Sequence, residues 1–334
     1  MHMSDALVSP EVAATAGVAS LLLLGAAVRK VNRQRRDDER LVPLMGVTGA
    51  FVFAAQMINF TIPGTGSSGH LIGGILLAAL LGPWAALLTL ASVLILQCLL
   101  FADGGLLALG CNLFNMAVLS CLVAYPLIYK PIAGSDPSSR RILTASLATG
   151  IVALELGAGA VVLETELSGI TALPAGRFLL LMLPIHLLIG IGEGLGTAAV
   201  LTALRRYRPE LLRRERPRID RRKNRRLLAL FACGALLLGG VFSWIASFRP
   251  DGLEWSIERV AGTPELTAPA DTPHTAASAL QQRTALLPDY DTSAAGLVGT
   301  GILLLLVFGV ARLLRPAVRK TSLPPTDERP CAND

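Results

Sequence analysis

The chain has 334 residues, 52% of them hydrophobic and 16% charged, with a mean hydropathy of +0.57. Soluble domains are about a quarter charged, so a soluble enzyme, a disordered chain and a secreted disulfide scaffold are excluded. The formal charge of +6 would suit nucleic acid if it formed one patch, and encodes membrane topology if it segregates into alternate loops.

A helix crosses a bilayer core in about 20 apolar residues. In chain order the apolar runs predict nine spans: residues 12–28, 41–60, 70–82, 84–101, 106–129, 142–163, 177–204, 227–247 and 295–314. The third is short and Gly-rich and reads as tilted or half-inserted, which is tolerated only where protein or a cavity satisfies the backbone. The fold class is therefore all-α, a polytopic integral membrane protein. Residues 1–205 form a seven-span bundle, 206–226 a basic linker, 227–314 a two-span hairpin and 315–334 a tail. The hairpin encloses a loop, 248–294, that is polar, Pro-rich and acidic. Its Ala/Thr/Pro stretch 261–279 predicts a flexible segment.

Twenty-six of the 30 Lys and Arg residues fall in 29–40, 130–141, 205–226 and the tail from Arg312 onward. Nine spans put all four segments on one side, which the positive-inside rule makes cytoplasmic. The N-terminus is then outside and the C-terminus inside. Segment 205–226 has Tyr207 as its only aromatic residue and lies between spans. It reads as a cytoplasmic linker able to touch anionic lipid, and no nucleic-acid partner is expected. The first basic run follows the first apolar run, the reverse of signal-peptide order, so Met1 is expected to remain. Cys98, Cys111, Cys121, Cys233 and Cys331 show no CxxC spacing and read as small core residues.

His2 is the unusual histidine. The Met1 amine, the deprotonated His2 amide and the His2 imidazole can wrap a metal in five- and six-membered rings. Such a planar nitrogen set suits Ni(II) or Cu(II) better than zinc. His70 supplies a natural fourth nitrogen. It lies in FTIPGTGSSGHLIGG, 60–74, on the expected outer side, in a glycine-rich loop that another backbone can approach closely. The GxGxxG at 64–69 lacks the strand and βαβ unit of a dinucleotide site.

Deeper in the bundle, His186 precedes Glu193 by two helical turns, and Glu155 lies in span six. Ionisable groups at membrane depth face the bundle interior. His186 and Glu193 read either as a hydrogen-bonded pair holding spans together or as a metal or proton station, and Asn59 is a further polar candidate. Gly190, Gly192, Gly194 and Gly196 allow close helix packing and could form a docking face for another subunit. Asn112 and Asn115 share a helix face and suit interhelical hydrogen bonds. His274 reads as a solvated loop residue. No P-loop motif is present, so no nucleotide is expected on this chain.

Several long motifs then occur in order: MHMSDALVSP, FVFAAQMINFTIPGTGSSGHLIGG, LLGPWAALL, LFADGGLLALGCNLFNM and HLLIGIGEGL. Residues 1–205 resemble the CbiM/NikM family, the substrate-binding membrane subunits of cobalt/nickel energy-coupling-factor ABC transporters. FRPDGLEWSIE and LLPDY resemble the PDGLE-type small membrane subunit of the same systems. The resemblance implies Ni²⁺ or Co²⁺ as substrate, with Met1, His2 and His70 as ligands. It also implies two partners on other chains, a transmembrane coupling protein and a cytoplasmic ATPase. Family members often begin MHIPDG; MHMSDA keeps the His and lacks the stiffening Pro and Gly. A passive metal channel and an intramembrane metalloenzyme are the competing readings, and the latter needs an acid or base beside an open metal site.

Overall fold

The computed structural model describes residues 1–38, 40–212, 221–288 and 294–313. Cys331, the basic tail, part of the basic linker and Asp289 and Asp291 of the outer loop lie outside the described residues. Among the described residues eleven main helices carry the fold. They are α1 (Pro10–Asp37), α2 (Leu41–Gln56), α3 (Gly74–Leu81), α4 (Pro83–Phe101), α5 (Leu109–Ala133) and α6 (Ser139–Ser168). After them come α7 (Ala175–Tyr207), α8 (Arg221–Gly240), α9 (Gly252–Ala261), α10 (Thr272–Thr284) and α11 (Ala294–Leu313).

Five of these helices are long and apolar enough to cross a membrane: α1, α4, α5, α6 and α7. Leucines 21, 22, 163, 167, 180 and 237 point outward, an apolar outer surface that water would not tolerate but lipid does. α2, with 16 residues, is a shorter apolar helix. The expected third span is α3, only 8 residues and about 12 Å long. It cannot start at residue 70, because Gly73 is left-handed, φ +76°, and 57–73 is committed to a loop. The expected eighth span ends earlier than residue 247, as α8 stops at Gly240 and a 3₁₀ turn follows. Within α5, Leu113–Tyr129 follows the wider i→i+5 hydrogen-bond pattern.

α6 and α7 form the most extensive helix pair, α2 packs on α8 and α11, and α9 lies on α7. Close approach of α6 and α7 depends on glycine. A Cβ on Gly194 would stand 2.6 Å from the Leu147 Cα, and one on Gly190 2.8 Å from the Ile151 Cα. Gly192 and Gly196 are met by Phe60 and Leu71. Gly190 and Gly194 are therefore used in the α6–α7 contact, whereas Gly192 and Gly196 are half-buried and line a groove with Phe60 and Leu71.

Two contacts gather basic segments at one end of the bundle. Lys30 stands 5.9 Å over the Trp84 ring, joining the end of α1 to the start of α4. Arg205 donates to the Ser139 hydroxyl (3.3 Å), joining the end of α7 to the start of α6. The opposite end carries the N-terminus, the 57–73 loop and α9. There a two-residue antiparallel ladder pairs Phe60 with Gly69 and Thr61 with Ser68.

The outer loop is more ordered than its composition suggests. Asp251 and Asp271 cap α9 and α10, and Pro273 sits in the first turn of α10, where its missing N–H costs nothing. His274 is not solvated. It is buried, with Nε2 3.1 Å from both the Asp5 and Val8 carbonyls and Nδ1 2.6 Å from Asp271. Cys98, Cys111 and Cys121 are buried as expected, whereas Cys233 is exposed on α8.

Candidate metal centre

Residues 1–8 form an inserted plug rather than a free tail, ending where Ser9 caps α1 by accepting from Val12 N. Met1, Met3, Leu7 and Val8 are buried. The backbone of Met3 is held on both sides: its N–H donates to Asn112 Oδ1 (2.7 Å), and its carbonyl accepts from Asn112 Nδ2 (3.1 Å) and Gly105 N (2.8 Å). The Asp5 carboxylate accepts from Ala108 N at 3.0 Å. Gly104, with φ +80°, lets the plug come close, since a Cβ there would stand 3.1 Å from His2 Cβ. Asn115 reaches the same plug, 3.6 Å from Met3 Sδ, and donates to Glu164 of α6 at 2.6 Å.

This insertion brings the three expected residues together. The Met1 amine lies 3.4 Å from His70 Nε2, and the His2 and His70 rings stack with centroids 5.3 Å apart. The His70 Nδ1 lies 3.2 Å from the Leu71 carbonyl. A carbonyl only accepts, so this bond assigns the proton to Nδ1 and leaves Nε2 a lone pair facing the amine. The His2 ring is turned differently: its Nδ1 lies 2.9 Å from Asp103 Oδ1, and its Nε2 is buried with no protein partner among the described residues. The nitrogen set is thus complete in composition, but chelation requires the His2 ring to leave Asp103. Among the described residues no three His, Cys, Asp or Glu side chains cluster as a metal site, and two of the four expected donors are main-chain nitrogens.

His186 lines the same small cavity as Met1 and His70, about 10 Å³ and the size of one ion or water. Its Nδ1 bonds the Met182 carbonyl (2.8 Å), and its Nε2 is buried without a protein partner among the described residues. Glu193 is not its partner. It accepts from Ile72 N (2.8 Å) and Gly73 N (3.0 Å) and so fixes the chain just after His70. Asn59 lies apart, with its carbonyl accepting from Ser247 N at 2.7 Å. Glu155 is half-buried on α6 and does not line the cavity.

Sequence reasoning missed two acids at the site, Asp103 and Asp251. The Asp251 Oδ2 forms an ion pair with the Met1 amine and lies 4.0 Å from His70 Nε2. Burial acts to raise the Asp251 pKa, but the Met1 ammonium, with His70, overrides it and holds the carboxyl well below the usual range. FADGG and PDGLE, which contain the two acids, are part of the motifs quoted above. The only sequence signal was their place in those motifs.

A helical membrane protein whose buried pocket gathers an amine and two imidazoles has the donor chemistry of a transition-metal site. The comparisons agree. Residues 2–211 match the cobalt uptake substrate-specific transmembrane region, CbiM, and residues 225–316 match the PDGLE domain. The chain belongs to the CbiM family, here fused to a PDGLE domain, a family of nickel and cobalt transport proteins rather than enzymes. It is similar to the fused nickel transport protein NikMN of Rhodobacter capsulatus, 31% identical over 94% of this chain and 95% of that one. It is also similar to the cobalt transport protein CbiM of Sorangium cellulosum, 27% identical over 64% of this chain and 94% of that one. The crystal structure of a truncated transition metal transporter superposes with a TM-score of 0.53 at 34% identity, covering 62% of this chain and 99% of that one.

Proposed function

We propose that this chain is the substrate-specific component of an energy-coupling-factor transporter that imports Ni²⁺ or Co²⁺. The ion is captured by the Met1 amine, the His2 amide and imidazole, and the His70 imidazole. The observation that carries this reading is the buried Met1 amine 3.4 Å from His70 Nε2, with the His2 ring stacked beside it. On capture the amine and amide release protons, and the His2 ring rotates from Asp103 to close the chelate. His186 lines the cavity and is the candidate next contact on the inward path, while Glu193 positions the His70 loop. A four-nitrogen plane favours Ni(II).

The chain crosses the inner membrane nine times with the N-terminus outside, α3 completing its span with the loop before it. The basic ends of α1, α6 and α7, gathered at one end of the bundle, support this orientation. A transmembrane coupling protein and a cytoplasmic ATPase supply the driving force. The test is ⁶³Ni uptake into vesicles carrying this chain with both partners. Uptake requires ATP and is lost in H2A and H70A. Uptake that continues unchanged without the ATPase marks a passive channel and overturns the proposal.

A further inference from the structure

We propose that Asp251, from the PDGLE domain, is a positioning residue for the metal site, gripping the Met1 amine and facing the ion as an uncoordinated counter-charge. The inference rests on the reading of Met1, His2 and His70 as ligands. The two oxygens of Asp251 have separate tasks. Oδ1 caps α9, accepting from Leu253 N (2.8 Å) and Glu254 N (2.9 Å), and Glu254 Oε2 accepts in return from Asp251 N (2.9 Å). This reciprocal capping box fixes the carboxylate plane, so Oδ2 is aimed at the Met1 amine by the helix itself.

The helix is in turn locked to the first domain around the acid. Just before it, the Pro250 carbonyl accepts from Ser68 N (2.8 Å). Just after it, Gly252 lies so close to α7 that a Cβ would stand 2.8 Å from Ile189 Cδ1 and 3.0 Å from His186 Cε1. Further on, Trp255 Nε1 donates to the Thr65 carbonyl (3.0 Å). Asp251 is therefore held against the loop that carries His70.

The charge balance gives this placement its use. A divalent ion bound by a neutral amine, one amidate and two neutral imidazoles leaves one positive charge in a buried pocket. Burying an unpaired charge is costly, and the Asp251 carboxylate offsets it. A coordinated amine keeps two N–H groups, so one can still donate to Oδ2 while its lone pair binds the ion. The same contact thus serves the empty and the filled site, and the metal site of the CbiM region is completed by the PDGLE region.

The test uses the full chain and the variants D251N and D251S. Asn and Ser are good helix caps, so both keep the Oδ1 role and lose the charge. Ni²⁺ binding by equilibrium dialysis is expected to weaken about 10–100-fold, and the Tm of the metal-free protein to fall, because the buried Met1 ammonium loses its partner. In the metal-free protein the Met1 α-amine of both variants is expected to react faster with an amine-reactive reagent, followed by mass spectrometry. Ni²⁺ affinity equal to the parent's in both variants, with the Met1 amine modified no faster, overturns the inference. A parent chain that binds neither Ni²⁺ nor Co²⁺ overturns the proposed function instead, and the amine reactivity still decides whether Asp251 grips Met1.

Discussion

The plug formed by residues 1–8 is held at its outer bend by His274, whose two ring nitrogens both face acceptors: Asp271 on one side, the Asp5 and Val8 carbonyls on the other. Only the doubly protonated ring donates to all of them. Burial acts to lower the His274 pKa, but the Asp271 carboxylate and the Val8 and Asp5 carbonyls outweigh it, and the pKa is raised above 6.5. A raised folded-state pKa means that the stabilisation is fully present below about 6.5 and is lost as pH rises through the folded value. The Tm advantage of the parent over H274Q should therefore shrink between about pH 5.5 and 8.5. A constant gap across that range would show that the charged ring is not what holds the plug. Neither this residue nor Asp251 was legible as a contact in the sequence. Asp251 meets Met1 across 250 positions and His274 meets Val8 across 266, and only the fold brings such pairs together. That Met1 and His2 could together offer three nitrogens was legible, because a terminal amine, an adjacent amide and an imidazole are joined covalently. His70 is 69 positions from Met1, and the fold brings its Nε2 to 3.4 Å from the Met1 amine.

At the scale of elements, length and hydropathy located the long helices well, since both are local properties of the chain. They failed where local composition is ambiguous. The run 70–82 is apolar throughout, yet left-handed Gly73 and the ladder at Phe60–Thr61 and Ser68–Gly69 reserve its first residues for a loop. Stretch 261–279 looked flexible because Ala, Thr and Pro bury little, but Asp271 and Pro273 are a helix-start signal and His274 supplies the anchor. Of the α7 glycines, Gly190 and Gly194 pack against the α6 backbone as their spacing suggests. Gly194 has the Leu147 backbone against it, so G194V has no flexible neighbour to displace. It should lower stability by about 1–3 kcal/mol, seen as a reduced Tm in detergent. An unchanged Tm would mean that α6 and α7 can separate freely.

For the whole molecule, the described basic ends of α1, α6 and α7 lie at one end of the bundle. Lys30 stands over Trp84 and Arg205 donates to Ser139 there, and the nitrogen pocket lies at the other end, beneath the PDGLE helix. The PDGLE region adds α8 and α11 to the bundle beside α2 and lays α9 over Met1 and His70. The proposed site depends on the Met1 amine as a metal ligand. Placing one residue before Met1 moves that amine one residue away and replaces it with an amide, while His2 and His70 stay in the chain. Measured by isothermal titration with Ni²⁺, the extended chain is expected to show no high-affinity binding at a concentration where the parent saturates. Equal affinity in the two chains would contradict the account.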